Sequence, residues 1–130
     1  MRFSRPWATA AEIWLALAVL VLLPTSNVLM LVSPAFVSLQ YSQPGFPPAE
    51  RYSPSDRLAL AQETVRWLNS SVGIDGLAAL EHRGEPVYNP RELRHMWDVK
   101  VVLNGLRWAW RAAVLTCLVA LGLAAWRRTW

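Results

Sequence analysis

Two long apolar runs dominate the hydropathy pattern, with polar, turn-rich sequence between them. From Ile13 to Ser38 no charged residue occurs. A helix of about 26 residues would be roughly 39 Å long, enough to cross a hydrocarbon layer about 30 Å thick with tilt or a kink. Pro24, followed by Thr25-Ser26-Asn27, is the natural kink point, and the pattern predicts a first membrane helix over 8–37. The second run, Trp108 to Trp126, holds Arg111 as its only charge. One turn inside the end of the run, that arginine reaches the headgroups by snorkelling. Trp108, Trp110, Trp126 and Trp130 bracket the run as interfacial tryptophans do.

The intervening segment opens with Pro44-Gly45-Phe46-Pro47-Pro48, which favours an extended or turn conformation. Ser53-Pro54-Ser55-Asp56 then reads as a helix start: a capping serine, proline at the first helical position, an acid at the third. Leu58, Ala61, Val65 and Leu68 follow at helical spacing and make one apolar face. Asn69 to Gly73 closes that helix, and Gly76 to Val87 suits a small strand or irregular turns. Asn89-Pro90-Arg91-Glu92 repeats the start signal, and no proline follows before Trp126. One long helix over 90–128 is therefore expected, with Gly105 as its weak point. The fold class is an all-α membrane protein, two transmembrane helices flanking a small, mainly helical extracytoplasmic domain at 38–89.

Arg2 and Arg5 at one end and Arg127 and Arg128 at the other place both termini in the cytoplasm, with 38–107 mostly outside. Lys100, Arg107 and Arg111 argue the other way, but a connecting segment of this length translocates largely regardless of charge. A cleaved signal peptide is the alternative for the first run, although that run is longer than a signal core and no small-x-small site follows closely.

Composition sharpens this picture. Hydrophobic residues make up 54% of 130 residues, more apolar surface than so small a soluble domain can bury. A net charge of +4, without a basic stripe interleaved by aromatics, points away from nucleic acid as a partner. Cys117 is the only cysteine, which excludes an intrachain disulfide and a cysteine metal site. The two histidines, His82 and His95, lack metal-ligand spacing. No metal and no cofactor is expected.

The chemistry-bearing stretch is "RELRHMWDVK", residues 91–100, just ahead of the second run. Asp98 lies three residues after His95 and shares its helix face, so a carboxylate can orient the imidazole and leave the other ring nitrogen to move a proton. Glu92, one turn earlier, is a second possible partner. The plainer reading is that Glu92, His95 and Asp98 form a solvated face at a helix end. Spacing alone leaves both readings open.

The segment "NPRELRHMWDVKVV" resembles a signature of the Lit family of bacterial lipoprotein intramolecular transacylases: an acid three positions before His-Met, one variable residue, then Asp-Val-Lys. Glu92, His95, Met96, Asp98, Val99 and Lys100 match it, and Arg51-Tyr52 ahead of a leucine-bearing helix fits the upstream pattern. The resemblance implies an integral membrane enzyme. Such an enzyme moves an acyl chain from the glyceryl ester of a lipoprotein's N-terminal cysteine to that cysteine's α-amino group. It implies that His95 transfers the proton with Asp98 as its partner, and that Glu92, Lys100 and Tyr52 support them. Lys100 and Arg94 would assist the oxyanion or lipid headgroups. Lit-type proteins have four spans and a further histidine in their second half, so this chain resembles the first half. His82 does not map onto that histidine. A short natural member, a truncated product, self-association and a second-half subunit are all compatible with this. The bilayer and an acylated lipoprotein N-terminus are the expected partners. A non-enzymatic small membrane protein with an extracytoplasmic interaction domain is the alternative.

Overall fold

The computed structural model describes residues 6–47 and 51–128; Arg2, Arg5, Pro48 and Trp130 lie outside them. The chain divides into two units, one of residues 1–28 with 105–130 and the other of residues 29–104.

Helix α1, Pro6–Leu31, passes Pro24 unbroken. Proline removes a backbone donor there, and local side chains add donors to the carbonyls around it. The Thr25 hydroxyl donates to the Val21 and Leu22 carbonyls at 2.6 and 3.2 Å, and Asn27 Nδ2 donates to the Leu23 carbonyl at 3.2 Å. The interruption falls instead at Val32–Ser33, where Ser33 Oγ accepts from the Phe36 N–H and starts helix α2, Pro34–Tyr41. The expected single helix over 8–37 is thus two helices. An uncharged run hides a serine-proline start signal when only hydropathy is read. Trp110 Nε1 donates to Ser26 Oγ at 2.8 Å, and the buried residues of the first unit, Ala18, Thr25 and Ala113, are small.

In the second unit a turn at Gln43-Pro44-Gly45-Phe46 follows α2, closed by the Phe46 N–H to the Gln43 carbonyl. Gly45 takes φ +85° there, which the third position of a type II turn requires. Helix α3, Pro54–Leu68, starts as its sequence dictates, with Ser53 Oγ accepting from the Asp56 N–H at 3.2 Å. It buries Val65, Trp67 and Leu68, while Leu58 and Ala61 are half-buried. Helix α2 packs along α3, with Gln62 Nε2 donating to Ser38 Oγ at 2.8 Å and Asn69 Nδ2 to the Val32 carbonyl at 3.0 Å. Helix α4, Ile74–Ala78, inserts Leu77, which is 2% exposed. The rest of the mixed stretch is an antiparallel hairpin of β1, Glu81–His82, and β2, Glu85–Pro86. Its two-residue turn, Arg83-Gly84, has φ of 55° and 81°, as a type I′ turn demands.

Helix α5, Pro90–Arg128, runs 39 residues without a break at Gly105, roughly 58 Å at 1.5 Å per residue. Ala11–Leu31 of α1 and Pro90–Trp126 of α5 are long and apolar enough to cross a membrane. Many of their large apolar side chains, Trp14, Leu20 and Leu121 among them, are exposed.

A buried polar contact ties α5 to the end of α3. Lys100, 4% exposed, donates from Nζ to the Trp67 and Val72 carbonyls, both at 2.7 Å. Its ammonium also lies 4.0 Å from the centroid of the Trp67 ring. Trp67 Nε1 in turn donates to the Gly73 carbonyl at 2.8 Å, folding the 69–73 loop under the helix end. A cation at a helix C-terminus is favoured by the carbonyls left without intrahelical partners. Lys100→Met keeps the stem and removes the donors. It should destabilise the second unit by about 2–4 kcal/mol, since buried carbonyls lose a charged partner and the ring contact is lost. Denaturant unfolding followed by tryptophan fluorescence measures this. An unchanged midpoint would contradict the role given to Lys100.

Candidate functional site

The α5 capping box sets where the motif stands. Asn89 Oδ1 accepts from the Arg91 and Glu92 N–H groups at 2.9 and 3.0 Å, and Glu92 Oε2 accepts from the Asn89 N–H at 2.8 Å. This reciprocal exchange satisfies donors that a helix start leaves open. Glu92 therefore holds the helix start and has one carboxylate oxygen outside that exchange.

Over residues 90–104 the buried and half-buried positions of α5 are Leu93, Met96, Val99, Lys100 and Leu103, recurring at helical spacing. His95 and Asp98 lie off that stripe and are exposed, as is Arg94. Among the described residues no hydrogen bond or ion pair joins His95 to Asp98. The helix places them one turn apart, both open to whatever approaches α5 from outside. Lys100, from the same motif, is turned inward to the Trp67 and Val72 carbonyls, so its support of the site is structural.

Tyr52 and Glu92 do come together, in a groove of about 530 Å³. Val37, Leu60, Val65 and Val87 give it an apolar floor, and Tyr41, Tyr52 and Tyr88 supply aromatic sides. The Tyr88 hydroxyl shares a 2.7 Å hydrogen bond with the Thr64 hydroxyl. Arg57 borders the groove with its guanidinium 4.9 Å from the Phe46 ring centroid and 5.5 Å from that of Tyr41. Such a mixture of apolar floor and few convergent polar groups is typical of ligand sites. Glu92 links the groove to His95, which follows one turn later on α5. A second groove, of about 760 Å³ between α1 and α5, is lined by apolar and small residues with Glu12 and Thr116, and holds no acid–base pair.

A cluster beside Tyr52 escaped the sequence reading. His82 Nε2 lies 3.9 Å from Asp56 Oδ2, and the imidazole and Tyr52 rings are nearly perpendicular, at 5.1 Å between centroids and 73° between planes. The Arg51 guanidinium stands 5.4 Å from the Tyr52 centroid and 3.5 Å from Glu85. Asp56 had been legible only as a helix-start acid, and His82 as an isolated histidine. Arg83-Gly84, a two-residue turn with glycine second, was the available signal for a hairpin there, but not for its packing against α3. Among the described residues no group of three or more metal-ligating side chains occurs.

No family model matches the chain, and no curated protein or solved structure is similar to it. The site must therefore be argued from its own geometry.

Hydrogen bonding from the Ser53 hydroxyl holds the Asp56 carboxyl below its ordinary value, with smaller help from the charges of His82 and Arg83. A carboxyl whose folded-state pKa is lowered adds stability above its unfolded pKa, and that stability is lost as pH falls through the lowered value. Asp56→Asn should accordingly flatten the acid-side fall in stability while α3 keeps its Ser53 cap. Unfolding curves collected from neutral pH down through the carboxylate range read this out, and an unaltered acid limb would contradict it.

Proposed function

We propose that this chain is a membrane-embedded acyltransferase of Lit type, acting alone, as a self-associated pair or with a second-half subunit. In this reading α1 and α5 cross the bilayer, both termini are cytoplasmic, and residues 38–107 lie mostly outside. The observation that carries the reading is the position of His95. It is an exposed imidazole on one unbroken helix, one turn beyond the groove-lining Glu92 and ahead of the apolar length of that helix. An ester held at a membrane surface would meet the protein at such a place.

The reaction needs no nucleophile from the enzyme. The substrate's α-amino nitrogen attacks the ester carbonyl, the carbon–nitrogen bond forms, and the ester carbon–oxygen bond breaks. The proton shed by nitrogen passes to His95 and from it to the departing glyceryl oxygen. A free α-amino group has a pKa of about 7.7–8.0, within reach of an imidazole acting near neutral pH. Asp98, one turn on, is the orienting partner that this reading gives the imidazole. Holding amine and ester together supplies most of the remaining advantage.

A second reading is favoured by one observation: Glu92 and Lys100 are both engaged in holding the fold, and His95 and Asp98 are unbonded to each other. Under it the chain is a non-enzymatic membrane protein whose outward unit is a docking module. Mass spectrometry of a model lipoprotein's N-terminal peptide separates the two, using cells that lack their own N-acylation enzyme. Co-expression of the chain should yield an acyl group on the cysteine nitrogen. His95→Ala should lower that product by about 10²-fold or more, the scale of a lost proton-transfer group, with unchanged membrane accumulation. Equal N-acylation by the mutant would contradict the enzyme reading, and none by the wild-type chain would contradict a chain that acts alone or as a self-associated pair.

A further inference from the structure

His82 is a half-buried titratable group that neither the fold nor the proposed reaction uses. It projects from β1, and its Nε2 is closed off from solvent without a hydrogen-bond partner. The nearest anion, Asp56 Oδ2, is 3.9 Å away, too far for a hydrogen bond to a neutral ring yet close enough to attract a charged one. Its other marked contact is the ring of Tyr52, and Tyr52 is a wall of the groove.

We propose that His82 is a positioning residue that sets Tyr52 at the groove, and that it does so through its protonation state. A neutral ring leaves Nε2 unsatisfied. Protonation turns Nε2 into a charged donor drawn to Asp56. This pulls the hairpin towards α3 and fixes Tyr52 between His82 and the Arg51 guanidinium. The surrounding charges keep the assembly local. Arg83 follows His82 in the turn, Glu81 precedes it, and Glu85 is its cross-strand partner, already paired with Arg51. Asp56 is thus the carboxylate left to meet the new charge. The groove would be firmest with His82 protonated, and Tyr52 freer with it neutral. The inference rests on the proposed function only in treating this groove as the substrate surface.

Nuclear magnetic resonance of the full chain in lipid nanodiscs, with histidine nitrogens and tyrosine rings labelled, tests it between about pH 5 and about pH 8, the range of histidine switching. The Tyr52 ring signals should follow the titration of His82 rather than that of His95. His82→Gln should abolish their movement, and Asp56→Asn should reduce its amplitude by about twofold or more by removing the opposing charge. Tyr52 signals that stay fixed while His82 titrates in the wild-type chain would overturn the proposal. So would movement of full amplitude in either variant. Acyl transfer is not part of this readout, so a chain that fails to acylate a lipoprotein leaves the result standing.

Discussion

The seat of Lys100 is the contact on which the rest of the second unit depends. A helix of 39 residues that leaves the unit to run on as an apolar rod offers only its first few turns for packing. Those turns are held by the ammonium between the Trp67 and Val72 carbonyls and against the Trp67 ring, beside the packed side chains of Leu93, Met96, Val99 and Leu103. The same contact adds a charged donor at the end of α3, where the Ser70 N–H and hydroxyl also donate to the Trp67 carbonyl. It draws in the loop that delivers α4 and Leu77. Because Lys100 faces inward, residues two and five positions earlier cannot, and Asp98 and His95 are left on the open side of α5. The exposure of the candidate acid–base pair is thus a geometric consequence of where the lysine is buried.

Two features then converge near the start of α5. The capping box of Asn89 and Glu92 fixes the first turn, and the tyrosine-sided groove ends at Glu92. A reacting group lodged in that groove would lie beside the face of α5 that carries His95. Among the described residues no hydrogen bond or ion pair joins the exposed pair to the rest of the chain, which leaves it open to water, substrate, lipid or another protein surface. This same openness keeps the docking-module reading alive, since exposed polar side chains on a helix end need no catalytic purpose.

Much of the backbone was legible in the sequence, because local signals and the final structure agree. Ser53-Pro54 and Asn89-Pro90 start helices where capping chemistry says they should, and the face of Leu58, Ala61, Val65 and Leu68 turns inward, joined by Trp67. The uninterrupted α5 follows from the absence of proline. The break at Ser33 was obscured because an uncharged run reads as one span, although Ser33-Pro34 carries the same start signal as the other two helices. The candidate site was only partly legible. That Lys100 would bind carbonyls 28 and 33 residues earlier, and that His82 would return to Asp56, depend on long-range packing that no local pattern encodes. Spacing placed His95 and Asp98 on neighbouring turns but could not say that the helix would hold both outward.

The central claim is that α5 is one continuous helix which carries His95 and Asp98 on its open side and then enters the bilayer. Spin-label accessibility along residues 91–112 tests this most directly, with single cysteines in a Cys117→Ser chain reconstituted in lipid. The account gives helical periodicity unbroken through Gly105, high access of a water-soluble relaxer at 95 and 98, low access at 100 and 103, and rising oxygen access from about 108 onwards as the label enters hydrocarbon. Loss of the periodicity at Gly105, or labels at 95 and 98 as protected as those at 100 and 103, would contradict it.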